Sequence, residues 1–87
     1  MLQPRVIDVT PLADYKVIVT FDTGEVRIFD VMPYISGDWF GKLENINVFN
    51  TVRVAGNTIE WAEGQDIAPH ELYDYSVPAQ ATIHLSA

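Results

Sequence analysis

The chain contains no cysteine, two histidines, and five basic residues against twelve acidic ones. Without cysteine, disulfide scaffolds, thiolate zinc sites, iron–sulfur clusters and cysteine nucleophiles are excluded, and a reducing compartment is the natural setting. The few cations, Arg5, Lys16, Arg27, Lys42 and Arg53, are scattered rather than clustered, and the net charge is −7. Nucleic-acid binders draw affinity from neutralising phosphates with Lys and Arg, so this field would repel such a ligand. No apolar run approaches the ~20 residues that span a bilayer, and MLQPRVIDV lacks the charged-then-apolar layout of a signal peptide. The expectation is a soluble cytoplasmic protein. The strong chemical motifs, GxSxG, a glycine-rich phosphate loop and HExxH, are also missing, so neither catalysis nor a cofactor is expected.

What is present is apolar material: 48% of the residues, including Trp39, Trp61 and four phenylalanines. A domain of this size buries only about 60–65% of its unfolded surface, so the core has to be dense. The stretch 14–31, DYKVIVTFDTGEVRIFDV, alternates Tyr15, Val17, Val19 and Phe21 with Lys16, Ile18, Thr20 and Asp22, the period of a strand with one strongly apolar face. Asp22-Thr23-Gly24 reads as a turn, since Gly24 tolerates positive φ. The return strand, 25–30, sets Val26 and Ile28 on one face and Arg27 and Phe29 on the other. Val6, Ile7 and Val9 suggest an earlier strand, ended by Pro11.

In residues 31–50, Trp39, Phe40, Leu43, Ile46 and Phe49 recur at helical spacings between glycines, with Asp38 and Asn45 as candidate N-caps. TVRVAGNTIEW reads as a second hairpin around Gly56-Asn57. Counting outward pairs Ala55 with Thr58, Val54 with Ile59, Arg53 with Glu60 and Val52 with Trp61. Val52, Val54, Ile59 and Trp61 then face the core, and Arg53 and Glu60 form an opposite-charge pair on the other side. Pro69 at a first helical position starts a short helix, with Glu71 in its first turn. Residues 76–87, SVPAQATIHLSA, read as a flexible tail or as a strand added to an edge, within the chain or across a dimer.

The carboxylate- and imidazole-rich segment WAEGQDIAPHELY invites a metal or acid/base reading on Asp66, His70 and Glu71. Adjacent helical residues diverge by about 100°, so His70 and Glu71 do not readily face one ion. Asp66 is better suited to bonding loop amides, and Glu63 to solvent beside Gly64. Ser36-Gly37 and Glu63-Gly64 punctuate turns. Trp39 and Phe40, beside glycines, either fill the core or form a contact patch, whereas the register places Trp61 in the core.

Taken together, Phe21-x-x-Gly24-Glu25, Phe29-Asp30-x-x-Pro33-Tyr34, Phe49-x-x-Val52-x-Val54 and a closing series Thr58, Ile59, Trp61, Gly64, Asp66, Ile67, Pro69, Leu72 and Tyr73 resemble the domain-of-unknown-function 2442 family over residues 4–75. The resemblance implies a small bacterial or phage-type α+β domain without assigned activity. It also implies frequent encoding beside another small protein, in a toxin–antitoxin-like arrangement. Some members carry an appended helix-turn-helix domain, and only twelve residues follow Tyr75 here, so that feature does not transfer. His70 falls at a variable position of the signature.

The expectation is therefore one α+β domain over 1–75: an antiparallel sheet of about five strands, two hairpins plus an N-terminal strand, with short helices at 38–49 and 69–75 over one face. The expected role is a non-enzymatic interaction module with Asp38, Trp39 and Phe40 as contact residues. Its expected partner is another small protein encoded beside it, with self-association through the tail as a further option. The alternatives are a metal- or carboxylate-dependent enzyme using Asp66, His70 and Glu71, and an acidic mimic that occupies a basic protein surface.

Overall fold

The computed structural model describes residues 4–79. Strands β1 (Val6–Leu12), β2 (Lys16–Phe21) and β3 (Val26–Asp30) form an antiparallel meander, completed on the far side of β3 by β6 (Val77–Pro78), in the order β1-β2-β3-β6. A separate two-stranded sheet joins β4 (Arg53–Ala55) to β5 (Thr58–Glu60). Helices α1 (Gly37–Phe40) and α2 (Ile46–Phe49) lie between the two sheets in sequence, and α3 (Pro69–Asp74) precedes β6. The class is α+β, as expected, with six strands divided between two sheets instead of about five in one.

Alternation in β2 sends Val17, Val19 and Phe21 into the core, where they meet Phe29 of β3, Leu43, Phe49 of α2, Ile59, Trp61, Ile67 and Leu72 of α3. Gly24 turns the first hairpin at φ 91°. The second hairpin keeps the expected register, Arg53 with Glu60, Val54 with Ile59 and Ala55 with Thr58, and Arg53 reaches Glu60 at 3.3 Å. Its ladder stops there. The Val52 amide donates instead to the Phe49 carbonyl, and Trp61 pairs with Gln65, so the expected Val52–Trp61 rung does not form.

Other details correct the sequence reading. β1 does not end at Pro11; it runs on to Leu12 with Pro11 opposite Val17. An edge strand needs donors on one side only, which makes a proline tolerable there. Tyr15 does not belong to β2. It sits with Asp14 in a 3-10 turn, both at positive φ (60° and 62°). The Tyr15 ring meets Phe49 edge-on at 5.2 Å, and its hydroxyl donates to the Glu44 carbonyl.

The expected helical stripe over 38–49 breaks into α1, a 3-10 turn (Gly41–Glu44) and α2. The break changes the helical phase, so Leu43 and Phe49 are buried while Trp39 and Ile46 stay exposed. Asn45 caps α2 as expected, its Oδ1 accepting from the Asn47 amide at 2.9 Å. Asp38 is not a cap: Ser36 holds that position before α1, and Asp38 lies in the first turn. Of the segment 76–87, Ser76 and Ala79 are buried and Val77–Pro78 pair with β3; residues 80–87 lie outside the described residues.

Candidate functional site

The three expected contact residues lie together on α1, but the fold uses them differently. Trp39 is 47% exposed, and Phe40 is half-buried against the core beside Tyr34. The Trp39 ring has the Lys42 ammonium 5.5 Å from its centre and rests against Gly64, whose φ of 109° lets the loop pass close by. Lys42 also pairs with Glu63 at 3.6 Å, so Glu63 is not merely solvated. Buried Gln65 donates to the Trp39 carbonyl at 3.0 Å. A shallow depression of about 470 Å³ beside α1 is bordered by Ile35, Ser36, Asp38, Lys42 and Glu44.

The candidates for acid/base or metal chemistry, Asp66, His70 and Glu71, do not gather into one three-residue site. His70 is exposed and stands 4.0 Å from Glu71, whose other oxygen accepts from the Tyr34 hydroxyl at 2.7 Å. Asp66 pairs through its backbone with Glu60; among the described residues its carboxylate accepts none of the loop amides expected of it. Among the described residues, no three His, Cys, Asp or Glu side chains are placed to hold one ion. Burial, then the bond to Glu71, pushes the Tyr34 hydroxyl up to about 12.

A polar cluster that sequence reasoning missed ties the C-terminal elements to the sheet. Arg27 donates from Nε to the Ser76 hydroxyl at 2.6 Å and from a terminal nitrogen to the Ser76 carbonyl at 2.8 Å. Its other terminal nitrogen pairs with Glu25 at 3.3 Å, and the guanidinium carbon stands 4.7 Å from the centre of the Tyr73 ring. The Tyr73 hydroxyl in turn donates to Glu25 at 2.9 Å. That bond, with those from Thr23 and Arg27, holds the Glu25 carboxyl below its usual range, and the same carboxylate raises Tyr73. These groups satisfy one another, which suits a clamp on α3 and β6 better than a reactive centre.

The second missed feature is the far face of the four-stranded sheet. Pairing places Thr10, Ile18, Ile28 and Val77 in one row across the four strands, with Thr20 and Val26 above it and Leu12 beside Lys16 and Asp30 below it. The helices and second hairpin share the core with the opposite parity, Val17, Val19, Phe21 and Phe29. None of Leu12, Ile18, Val26, Ile28 and Val77 is buried, and Val26 and Val77 are 40% and 51% exposed. The signal was in the sequence: Ile18, Val26 and Ile28 are apolar at positions where a solvated sheet face normally carries polar residues. Lone exposed apolar side chains are common on protein surfaces, but a contiguous set marks contact surfaces.

A search of curated proteins and a search of solved structures each found no match. A family model does match, over residues 6–78, from the first residue of β1 to the last of β6. The chain therefore belongs to the family described as protein of unknown function (DUF2442).

Proposed function

We propose that this protein is a non-enzymatic protein–protein interaction module, acting in the cytoplasm as one member of a two-protein pair whose other member is a small protein encoded beside it. The observation that carries the reading is the apolar outer face of the four-stranded sheet, formed by Leu12, Ile18, Val26, Ile28 and Val77, none of which the described residues bury. Keeping β-branched side chains in water forgoes the ~25 cal/mol per Å² that covering them would return, and a partner surface recovers it. Glu71, one of the side chains best suited to chemistry, is committed to a bond with Tyr34 that ties α3 to the core. The half-exposed Trp39, with Asp38 and Phe40, is a secondary contact patch in this reading.

Co-expression of the chain with the product of the neighbouring gene, followed by affinity purification and sedimentation, tests the proposal. A stoichiometric complex is expected. Recovery of the chain alone at micromolar concentration would count decisively against it.

A further inference from the structure

The charges of this protein are unevenly paired. Arg27, Lys42 and Arg53 are each matched with a glutamate, Glu25, Glu63 and Glu60 respectively. Among the described residues no aspartate takes part in an ion pair. Four of those aspartates surround the open sheet. Asp8 and Asp30 lie on its outer face, Asp14 sits in the turn before β2, and Asp22 in the turn after it, all exposed. Lys16 lies on that face opposite Asp30, and exposed Arg5 is bonded through its backbone to Asp22.

Resting on the interaction-module reading, we infer that the outer sheet face docks a protein partner whose contact surface is apolar at its centre and lysine- or arginine-bearing at its rim. The apolar row supplies the dry centre and the four carboxylates the complementary border, the usual division between the core and rim of an interface. Charge also decides between occupants. A second copy would bring another chain of net charge −7 against the same aspartates, and like-charge juxtaposition is costly. A cationic partner is instead drawn in, with an association rate that falls as salt screens the field.

The probes are two synthetic strand-forming peptides, one alternating lysine with valine and one alternating glutamate with valine, titrated into isotope-labelled protein and mapped by amide and methyl NMR shifts. The lysine peptide is expected to shift Leu12, Ile18, Val26, Ile28 and Val77, and to bind at least about tenfold more tightly than the glutamate peptide at low salt. The double substitution Asp8→Asn with Asp30→Asn should weaken the lysine peptide several-fold without unfolding. An asparagine side-chain oxygen can still accept from the Met32 amide, which Asp30 now holds at 3.0 Å. Ile28→Lys, a half-buried site on the open face, should abolish binding, with circular dichroism confirming the fold. Equal binding of both peptides, or shifts centred on Trp39, would overturn the inference. So would a self-associated species in sedimentation that Ile28→Lys dissolves, since the occupant would then be a second copy. If the neighbouring gene product binds but its footprint lies elsewhere, the interaction-module reading survives and this inference does not. If that product fails to bind while the lysine peptide maps to the sheet, the pairing fails and the surface assignment stands.

Discussion

Replacing Trp61 with phenylalanine should cost about 3 kcal/mol of stability, and the figure can be built from its surroundings. The side chain is fully buried, its ring centre lies 5.9 Å from that of Phe49, and its Nε1–H donates to the Phe49 carbonyl at 2.9 Å. It thereby fastens the β4–β5 hairpin to α2. Phenylalanine removes the N–H and the volume of one fused ring. The Phe49 carbonyl still accepts from the Val52 amide at 3.3 Å, so losing the indole bond costs about 1 kcal/mol, not the larger penalty of an orphaned acceptor. The lost burial and residual cavity add about 2 kcal/mol. Stability of a domain this size is roughly 4–13 kcal/mol at 0.05–0.15 kcal/mol per residue. The change is therefore a sizeable fraction, and should lower the melting temperature by about 12–24 °C. Urea unfolding followed by far-ultraviolet circular dichroism measures it, and the half-exposed Trp39 remains as an independent fluorescence probe. Trp39→Phe is the control and should cost no more than about 1 kcal/mol. A Trp61→Phe loss below about 1 kcal/mol, or one equal to that of Trp39→Phe, would refute the anchoring role.

Two other perturbations test the surrounding framework. Tyr34 titrates at about 12, above the ordinary 10, so its contribution to stability is complete below pH 10 and disappears as pH rises from 10 through 12; Tyr34→Phe should flatten that alkaline loss in pH-dependent urea titrations. Glu25 has the opposite sign: its lowered pKa stabilises the fold above the ordinary value of 4.5, and the contribution fades as pH falls below it, so Glu25→Gln should flatten the acid limb in the same titrations. Gly64→Ala should destabilise by about 1–2 kcal/mol in thermal melts because φ is 109° there. The added methyl would meet the Trp39 ring at ordinary contact distance, 3.5 Å, so backbone strain and not a clash sets that magnitude.

Local patterns carried much of the fold in plain view. The parity of Val17, Val19 and Phe21, the Gly56-Asn57 turn with its Arg53–Glu60 rung, the Asn45 cap and Pro69 at the head of α3 are each short-range choices within a few residues. Nothing of that kind specifies which elements separated in sequence will meet. The Arg27–Ser76 contact spans 49 residues, and neither residue type announces it. The break at Gly41–Glu44 shows the same limit, because each fragment of 38–49 has helical spacing while their relative phase depends on what each packs against. For the candidate surface, the apolar parity of Ile18, Val26 and Ile28 was legible, but it could equally have meant a strand buried on both sides.

Periodicity, turn chemistry and charge thus determined by themselves the α+β class, the register of the second hairpin from Arg53 to Glu60 and the net charge of −7, because each depends on neighbours along the chain or on a simple sum. Tertiary structure alone decided that the helices and the second hairpin cover one side of the sheet and, among the described residues, leave the other open with aspartates around it. That choice depends on competition among several apolar faces for one core, which no local pattern along the chain can settle.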